Sequence, residues 1–458
     1  MPESSITADS ADGRRFGFAG VGADALRSGD LVVLSPGSGR ILGQVTDPAR
    51  AGADGYGQVL GGIDGDRLDH LPQPPFASAA VAPAGHPELQ LLQASSGAGL
   101  PVGTWTSGDT GADARLRAQG FGRHTFLCGQ SGSGKTYALG VLLEQVRLHT
   151  GLRIVVLDPN ADYVRMNQVR PGVPDDVAAA WQERGPVTVL GSDASGAEPL
   201  RLRFATMPRA AQAAVLRLDP LRDRGEYNLF VRLMGHGRTA GVATVVAELA
   251  AGTPDERALA QRMENLGLLD WEVWAAGQTS AAEVVDAGAS MTVLDLNGFK
   301  DPHESTAVCL DLVEHLWARR ADRTPTLLVL DEAHNLCPAE PSGTMQAALV
   351  DRLIQIAAEG RKYGLWLLLS TQRPSKLHPQ VLSQCDNLVL MRMNSRADLA
   401  ELATVFGSVP HEMLDASPTF TQGEALVAGP LAPVPTLLRM GDRITVEGGS
   451  DVRVPDRS

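Results

Sequence analysis

The stretch Arg123-His-Thr-Phe-Leu-Cys-Gly-Gln-Ser-Gly-Ser-Gly-Lys-Thr-Tyr137 joins an apolar run to a helical pattern through a glycine-rich turn. Phe126, Leu127 and Cys128 read as the end of a buried strand. Tyr137 to Leu148 reads as an apolar-rich helix that Thr150-Gly151 stops. Between them Gly129 to Thr136 spells G-x-x-x-x-G-K-T, the pattern of a phosphate-binding loop. Gly129, Gly132 and Gly134 let the backbone curl until its N–H groups face phosphate oxygens, and the helix start adds partial positive charge. Gln130, Ser131, Ser133 and Tyr137 complete the stretch expected to surround a nucleotide. Lys135 is predicted to reach the β- and γ-phosphates, and Thr136 to place its hydroxyl on a metal ion. The expected cofactors are ATP and Mg2+.

A second stretch fits the same chemistry. Thr326-Leu-Leu-Val-Leu-Asp-Glu-Ala-His-Asn335 is a buried β run ending in two carboxylates. Beside a phosphate loop, Asp331 at the strand tip is predicted to hold the water shell of Mg2+. Glu332 is predicted to polarise the attacking water as general base.

The composition bounds the rest. A chain of 458 residues, 43% of them hydrophobic, has room for two or three domains with real cores. No apolar run reaches the roughly 18 residues of a membrane span, and the first fifteen residues lack the apolar core of a secretory signal. A cytoplasmic protein with no membrane partner is expected. Cys128, Cys309, Cys337 and Cys385 are scattered without metal-ligand spacing, as buried thiols in a reducing compartment would be. A formal charge of −13 excludes a surface that is basic all over, though not a ring with basic groups confined to its channel.

In chain order, residues 1–20 read as a flexible arm. Residues 21–95 alternate short strand candidates with Gly/Pro/Asp turns, the texture of a small β-barrel, and 96–122 read as a connector. After the phosphate loop, Leu152 to Leu157 is another buried strand ending in Asp158-Pro159-Asn160. Asp158 is either a second acid near the metal or the start of an Asp-Pro turn, and both readings stay open. Residues 164–290, rich in Ala, Leu and Arg, read as a helical insertion in which Trp181, Trp271 and Trp274 pack the interior. Met291–Leu296, Thr326–Leu330, Leu365–Gln372 and Asn387–Met393 alternate with helical patterns and predict a mostly parallel α/β sheet. The expected domains are therefore the barrel at 21–95, an ATPase core over 96–163 and 291–440, the insertion at 164–290, and a tail at 441–458.

The ordered series RHTFLCGQSGSGKT, VVLDPNADY, LLVLDEAHNL, the block EGRKYGLWLLLSTQRPSKLHPQVLSQCDNLVLMRMNS from Glu359 to Ser395, and the tail Glu447-Gly-Gly-Ser-Asp451 resembles the HerA family of the HerA/FtsK superfamily of P-loop ATPases. The resemblance covers about residues 95–455. It implies a RecA-like core behind an N-terminal barrel, and a hexameric ring that hydrolyses ATP between subunits and moves or unwinds double-stranded DNA. A separate nuclease or other effector partner, in DNA-end processing or antiphage defence, is implied with it. Lys135, Thr136, Asp331 and Glu332 carry over directly. Gln372 stands where the family has a polar sensor of the γ-phosphate. Arg361 is the candidate arginine finger acting in trans, with Lys362 and Arg373 as rivals, and the tail would brace an adjacent subunit. Asn160-Ala161 stand where relatives often have His-Gly. A scaffold that activates an effector with little transport, or a conjugation or secretion motor, are the alternatives.

Overall fold

The computed structural model describes residues 6–37, 39–50, 53–108, 111–234 and 241–449. It falls into two compact units. One comprises Met1–His149, Gln372–Pro374 and Cys385–Arg443, the other Thr150–Thr371, Ser375–Gln384 and Ile444–Ser458.

The first unit begins with seven strands: β1 (Ile6–Ser10), β2 (Arg15–Gly20), β3 (Leu31–Ser35), β4 (Arg40–Asp47), β5 (Gly55–Asp64), β6 (Arg67–Asp69) and β7 (Phe76–Pro83). Six of them close a barrel in the order β2-β1-β7-β3-β4-β5, with β5 pairing back onto β2 and β6 appended to β5. Alternation drives the closure. In β1, residues Ile6, Ala8 and Ser10 face inward while Thr7 and Asp9 face water. Phe16, Phe18, Val32, Leu34 and Val45 fill the centre. A Cβ at Gly55 would lie 2.2 Å from the Phe18 ring, and one at Gly57 2.2 Å from the Phe16 ring, so glycine is what lets β5 approach both aromatics.

Here the structure differs from the sequence expectation. From Ile6 onward the supposed flexible arm is strand, and the barrel closes only through β1 and β2. The small residues of Ile6-Thr-Ala-Asp-Ser10 carry little hydrophobic signal, yet three of the five are buried by the closure. The stretch read as a connector is likewise ordered. A helix at His86–Ser96 precedes strands Ala98–Trp105 and Asp113–Arg117.

Also in this unit, His124–Cys128 pairs in parallel with Cys385–Leu390. Glu424–Ala428, Thr436–Met440, Ala98–Trp105 and Asp113–Arg117 then extend that sheet antiparallel. The helix Lys135–His149 is fixed by an ion pair with both members fully buried: Arg443 Nε donates to Glu144 Oε1 at 2.7 Å. A Cβ at Gly140 would stand 2.1 Å from an Arg443 nitrogen, so the guanidinium needs glycine at that turn of the helix.

The second unit holds a wholly parallel sheet, ordered Glu198–Pro199, Val187–Gly191, Met291–Asp295, Arg153–Asp158, Thr326–Leu330, Leu365–Thr371. Its central strands are buried along their length, which is why they read as unbroken apolar runs. Residues 164–290 do contain helices, among them Arg224–Met234, Val242–Ala250 and Pro254–Asn265. They also contribute Val187–Gly191 to the sheet, so the segment is not a purely helical insertion. Trp271 and Trp274 stack with ring centroids 5.4 Å apart, and Trp181 is buried. All four cysteines are buried and none is in a disulfide. Among the described residues no helix is long and apolar enough to cross a membrane.

Candidate functional site

In the first unit, the strand His124–Cys128 is buried at every position and delivers the chain to Gly129. Gly132 (φ +73°) and Gly134 (φ +91°) adopt left-handed backbone that a side chain would strain, the successive conformations that form anion-binding concavities. A Cβ at Gly129 would meet Ser133 Oγ at 2.7 Å and Met391 Cβ at 2.8 Å. The loop is pinned by the segment after Cys385–Leu390. Gln130 N–H donates to the Arg392 carbonyl (2.9 Å), Asn394 N–H donates to Gln130 Oε1 (3.2 Å), and Arg392 Nη2 donates to the Gly132 carbonyl (3.2 Å). Gly423 N–H donates to the Ser133 carbonyl at 3.0 Å. Ser131 and Gly132 stay exposed at the tip, while Lys135 and Thr136 open the helix Lys135–His149, Lys135 buried and Thr136 half-buried. The Tyr137 hydroxyl accepts the Arg443 N–H at 2.9 Å. The fixed backbone, the left-handed glycines and a lysine at the start of a fifteen-residue helix form a cradle suited to phosphate.

In the second unit, three carboxylates converge at the carboxyl ends of neighbouring parallel strands. Asp158, Asp162 and Asp331 place one carboxylate oxygen each within 4.8 Å of the others. Asp158 is held by backbone donors: Asp162 N–H (3.0 Å) and Asn160 N–H (3.3 Å) on Oδ1, and Tyr163 N–H (2.8 Å) on Oδ2. Asp331 Oδ1 accepts from Ser370 Oγ at 2.7 Å. Burial pushes the Asp158 carboxyl up to about 7, with the Tyr163 and Asp162 amides pulling the other way and the Asp331 charge adding to the rise. Like charges packed this closely are costly unless a proton or cation shares them. Carboxylate oxygens are the hard donors that Mg2+ takes. The residues therefore fit a divalent cation.

Glu332 follows at once, in left-handed backbone (φ +43°) that only an over-determined position sustains in a residue with a Cβ. It stands at the N-cap position of the short helix Ala333–Leu336 without a side-chain capping bond. Its Oε2 lies 3.4 Å from His334 Nδ1, which in turn lies 2.9 Å from Thr371 Oγ1. The hydrogen bond of that ring nitrogen goes to Thr371, which thus holds His334 beside the carboxylate that the sequence marks as a base.

Gln372 follows the strand Leu365–Thr371 directly. Arg361 sits in the turn Gly360–Tyr363 before that strand. Because Leu365–Thr371 runs parallel to Thr326–Leu330, Arg361 lies at the amino end of the sheet and Asp331 at the carboxyl end. The strand between them spans on the order of 20 Å. Lys362 is exposed in the same turn, and Arg373 is exposed beyond Gln372.

Sequence reasoning named Asp331, Glu332 and Asp158 but missed Asp162, Ser370, His334 and Thr371. Asp162 had a local signal, an acid four residues beyond Asp158 across an Asp-Pro turn. The described residues of the tail lie on this chain's own loop. Thr445 bridges Val169, Val446 N–H donates to the Gln168 carbonyl (2.9 Å), and Gly448 N–H donates to the Asp162 carbonyl (3.0 Å). The end of the quoted tail motif, Ser450-Asp451, lies outside the described residues.

Comparison with known proteins fits this arrangement. The family model described as "Helicase HerA, central domain" matches residues 100–250. A model of the ATPase family associated with various cellular activities matches residues 275–393. A DNA double-strand break repair helicase HerA of Sulfurisphaera tokodaii is 21% identical over 418 residues, 86% of this chain and 79% of that protein. A probable helicase of Methanocaldococcus jannaschii is 34% identical over 132 residues, 29% of this chain and 25% of that protein. The match to the latter thus spans about a quarter of its length. Among solved structures, VirB4 of Thermoanaerobacter pseudethanolicus shares the fold, with a TM-score of 0.50 and 17% identity over 78% of this chain and 97% of that one. The phosphate loop and its helix, the strand-tip acids, and the two family models that follow one another along the chain agree on a P-loop ATPase whose residues 100–250 are similar to the central domain of helicase HerA.

Proposed function

We propose that the protein is an ATP-driven motor that translocates or unwinds double-stranded DNA, and that it works as a hexameric ring with a separate nuclease or other effector. The observation that carries the ATPase part is the pinned, left-handed Gly132/Gly134 cradle leading into Lys135. The convergent carboxylates on the parallel sheet support it. In this reading Gly129 to Tyr137 hold the nucleotide, with Lys135 on its β- and γ-phosphates. Thr136 and Asp331 serve Mg2+, with Asp158 and Asp162 supporting Asp331. When bound, Mg2+ supplies charge neutralisation to the phosphates. Glu332, with His334 beside it, takes the proton of the attacking water. Gln372 senses the γ-phosphate.

Arg361 serves a neighbouring subunit's nucleotide. Its place at the sheet's amino end supports a role in trans, since it stands a full strand away from its own acids. A guanidinium suits that role because it spreads its charge over two oxygens. DNA handling rests on the relatives, which are named as helicases of double-strand break repair.

The test is turnover against binding. Lys135→Ala should abolish hydrolysis and weaken ATP binding. Glu332→Ala should abolish hydrolysis and leave binding intact. Wild-type turnover by Glu332→Ala would remove the assignment of the base.

A further inference from the structure

At the amino ends of the parallel strands in the second unit, opposite the acid cluster, lies a cavity of about 510 Å3. Arg153, Arg184, His315, Arg319, Arg320 and Tyr363 line it, and Glu183, Asp286 and Asp322 are its acids. The acids are largely committed. Asp286 accepts from His315 Nε2 (3.0 Å) and from Arg319, and Asp322 accepts from Arg319 Nε (2.9 Å).

Two guanidiniums make their hydrogen bonds to neutral partners only. Arg153, half-buried at the start of its strand, donates Nε to Thr326 Oγ1 (3.1 Å) and Nη1 to the Val285 carbonyl (3.3 Å). Its Nη2 makes no hydrogen bond among the described residues, and the Asp286 carboxylate acts on the guanidinium only from beyond ion-pair distance. Arg320 donates Nη1 to the Trp317 carbonyl (2.8 Å) and lies over the Trp317 ring, 4.4 Å from its centroid, and 5.6 Å from that of Tyr363. Stacking on two rings holds this guanidinium in place before anything binds, so little freedom is lost when it grips an anion.

We propose that this cavity is a second anion site, built to take the phosphate group of a small phosphorylated ligand. Two guanidiniums with no carboxylate hydrogen-bonded to them match a doubly charged group. A single carboxylate would leave one of them uncompensated in a partly buried wall. The volume exceeds that of one phosphate, so the rest of the ligand has room beside it. No residue assigned above to the nucleotide lines the cavity. Tyr363, however, closes the turn that carries Arg361, so occupancy would be felt at that turn. This last consequence alone rests on the role proposed for Arg361.

The experiment is titration calorimetry with inorganic pyrophosphate on the full-length chain, in wild type and in Lys135→Ala, where the phosphate loop is disabled. Arg153→Met and Arg320→Gln are then added singly to Lys135→Ala, with circular dichroism to verify folding. The proposal expects saturable binding to survive Lys135→Ala, and each arginine change to raise Kd about tenfold or more. It is overturned if binding vanishes with Lys135→Ala, or if a folded arginine variant binds as tightly as its parent. Should Arg153→Met fail to fold, Arg320→Gln decides. Malonate binding as tightly as pyrophosphate would overturn the phosphate assignment in favour of carboxylate. If Lys135→Ala loses no affinity or stoichiometry relative to wild type, the phosphate-loop reading fails, and the arginine variants still judge the cavity.

Discussion

Replacing Ser370 by alanine isolates one bond at the acid cluster. Ser370 Oγ donates to Asp331 Oδ1 at 2.7 Å, and both side chains are fully buried. A hydrogen bond to a charged acceptor contributes about 1.5–3 kcal/mol. Its loss removes one of the contacts that orient the Asp331 carboxylate. If Asp331 serves Mg2+, the penalty falls on metal affinity, where removing the partner of a liganding carboxylate costs about 10–100-fold. The assay is the Mg2+ dependence of steady-state ATP hydrolysis at saturating ATP. Ser370→Ala should raise the half-saturating Mg2+ concentration by about that factor, and most of kcat should return at high Mg2+. Ser370→Thr, which keeps the hydroxyl, should fall close to wild type. A folded Ser370→Ala enzyme with an unchanged Mg2+ curve would refute the placement of the metal at Asp331.

Three further outcomes follow from the same geometry. Burial alone pushes the Asp311 carboxyl up from 3.8 to about 7. An acid raised in this way favours the fold below its unfolded pKa and loses that contribution as pH rises through about 7. Over roughly three pH units this is about 4 kcal/mol. Asp311→Asn should therefore gain on wild type in denaturation midpoint between pH 5 and pH 8, and parallel pH profiles for the two proteins would contradict the burial argument. Arg443→Met removes the guanidinium that pairs with the buried Glu144, at a cost of about 3–5 kcal/mol. Amide hydrogen exchange in the helix Lys135–His149 should then accelerate by about a hundredfold or more, and unchanged protection would show that the pair does not anchor the helix. Mixing Lys135→Ala subunits with Arg361→Ala subunits should restore part of the hydrolysis that each lacks; mixed rings that stay inactive would count against Arg361 acting in trans.

Much of the architecture could be read from the chain because its strongest signals are local. Ile154–Leu157, Leu327–Leu330 and Leu367–Leu369 are apolar runs since strands at the centre of a parallel sheet meet helices on both faces. The strand, glycine loop and helix of 124–149 follow one another without a break. The signals failed where burial is created by partners distant in sequence. Ala8 and Ser10 are buried only because β1 meets β7 some seventy residues later. Val187–Gly191 is a five-residue strand amid Ala- and Arg-rich helices, and its register is set by Met291–Leu294. At the candidate site, the strand-tip acids announce themselves by following an apolar run. Ser370 and Thr371 give no such sign, because their partners Asp331 and His334 lie 39 and 37 residues away. Asp162 reads as turn polarity until the chain folds its carboxylate toward Asp158 and Asp331.

The central claim, an ATP-driven motor acting on DNA, is tested most directly by steady-state ATP hydrolysis with and without linear duplex DNA, measured on a particle whose mass in solution is known. The account predicts a six-subunit particle whose hydrolysis is strongly stimulated by duplex and abolished by Glu332→Ala. Hydrolysis indifferent to DNA, in a particle of any size, would contradict the motor reading and leave an ATPase scaffold for an effector in its place.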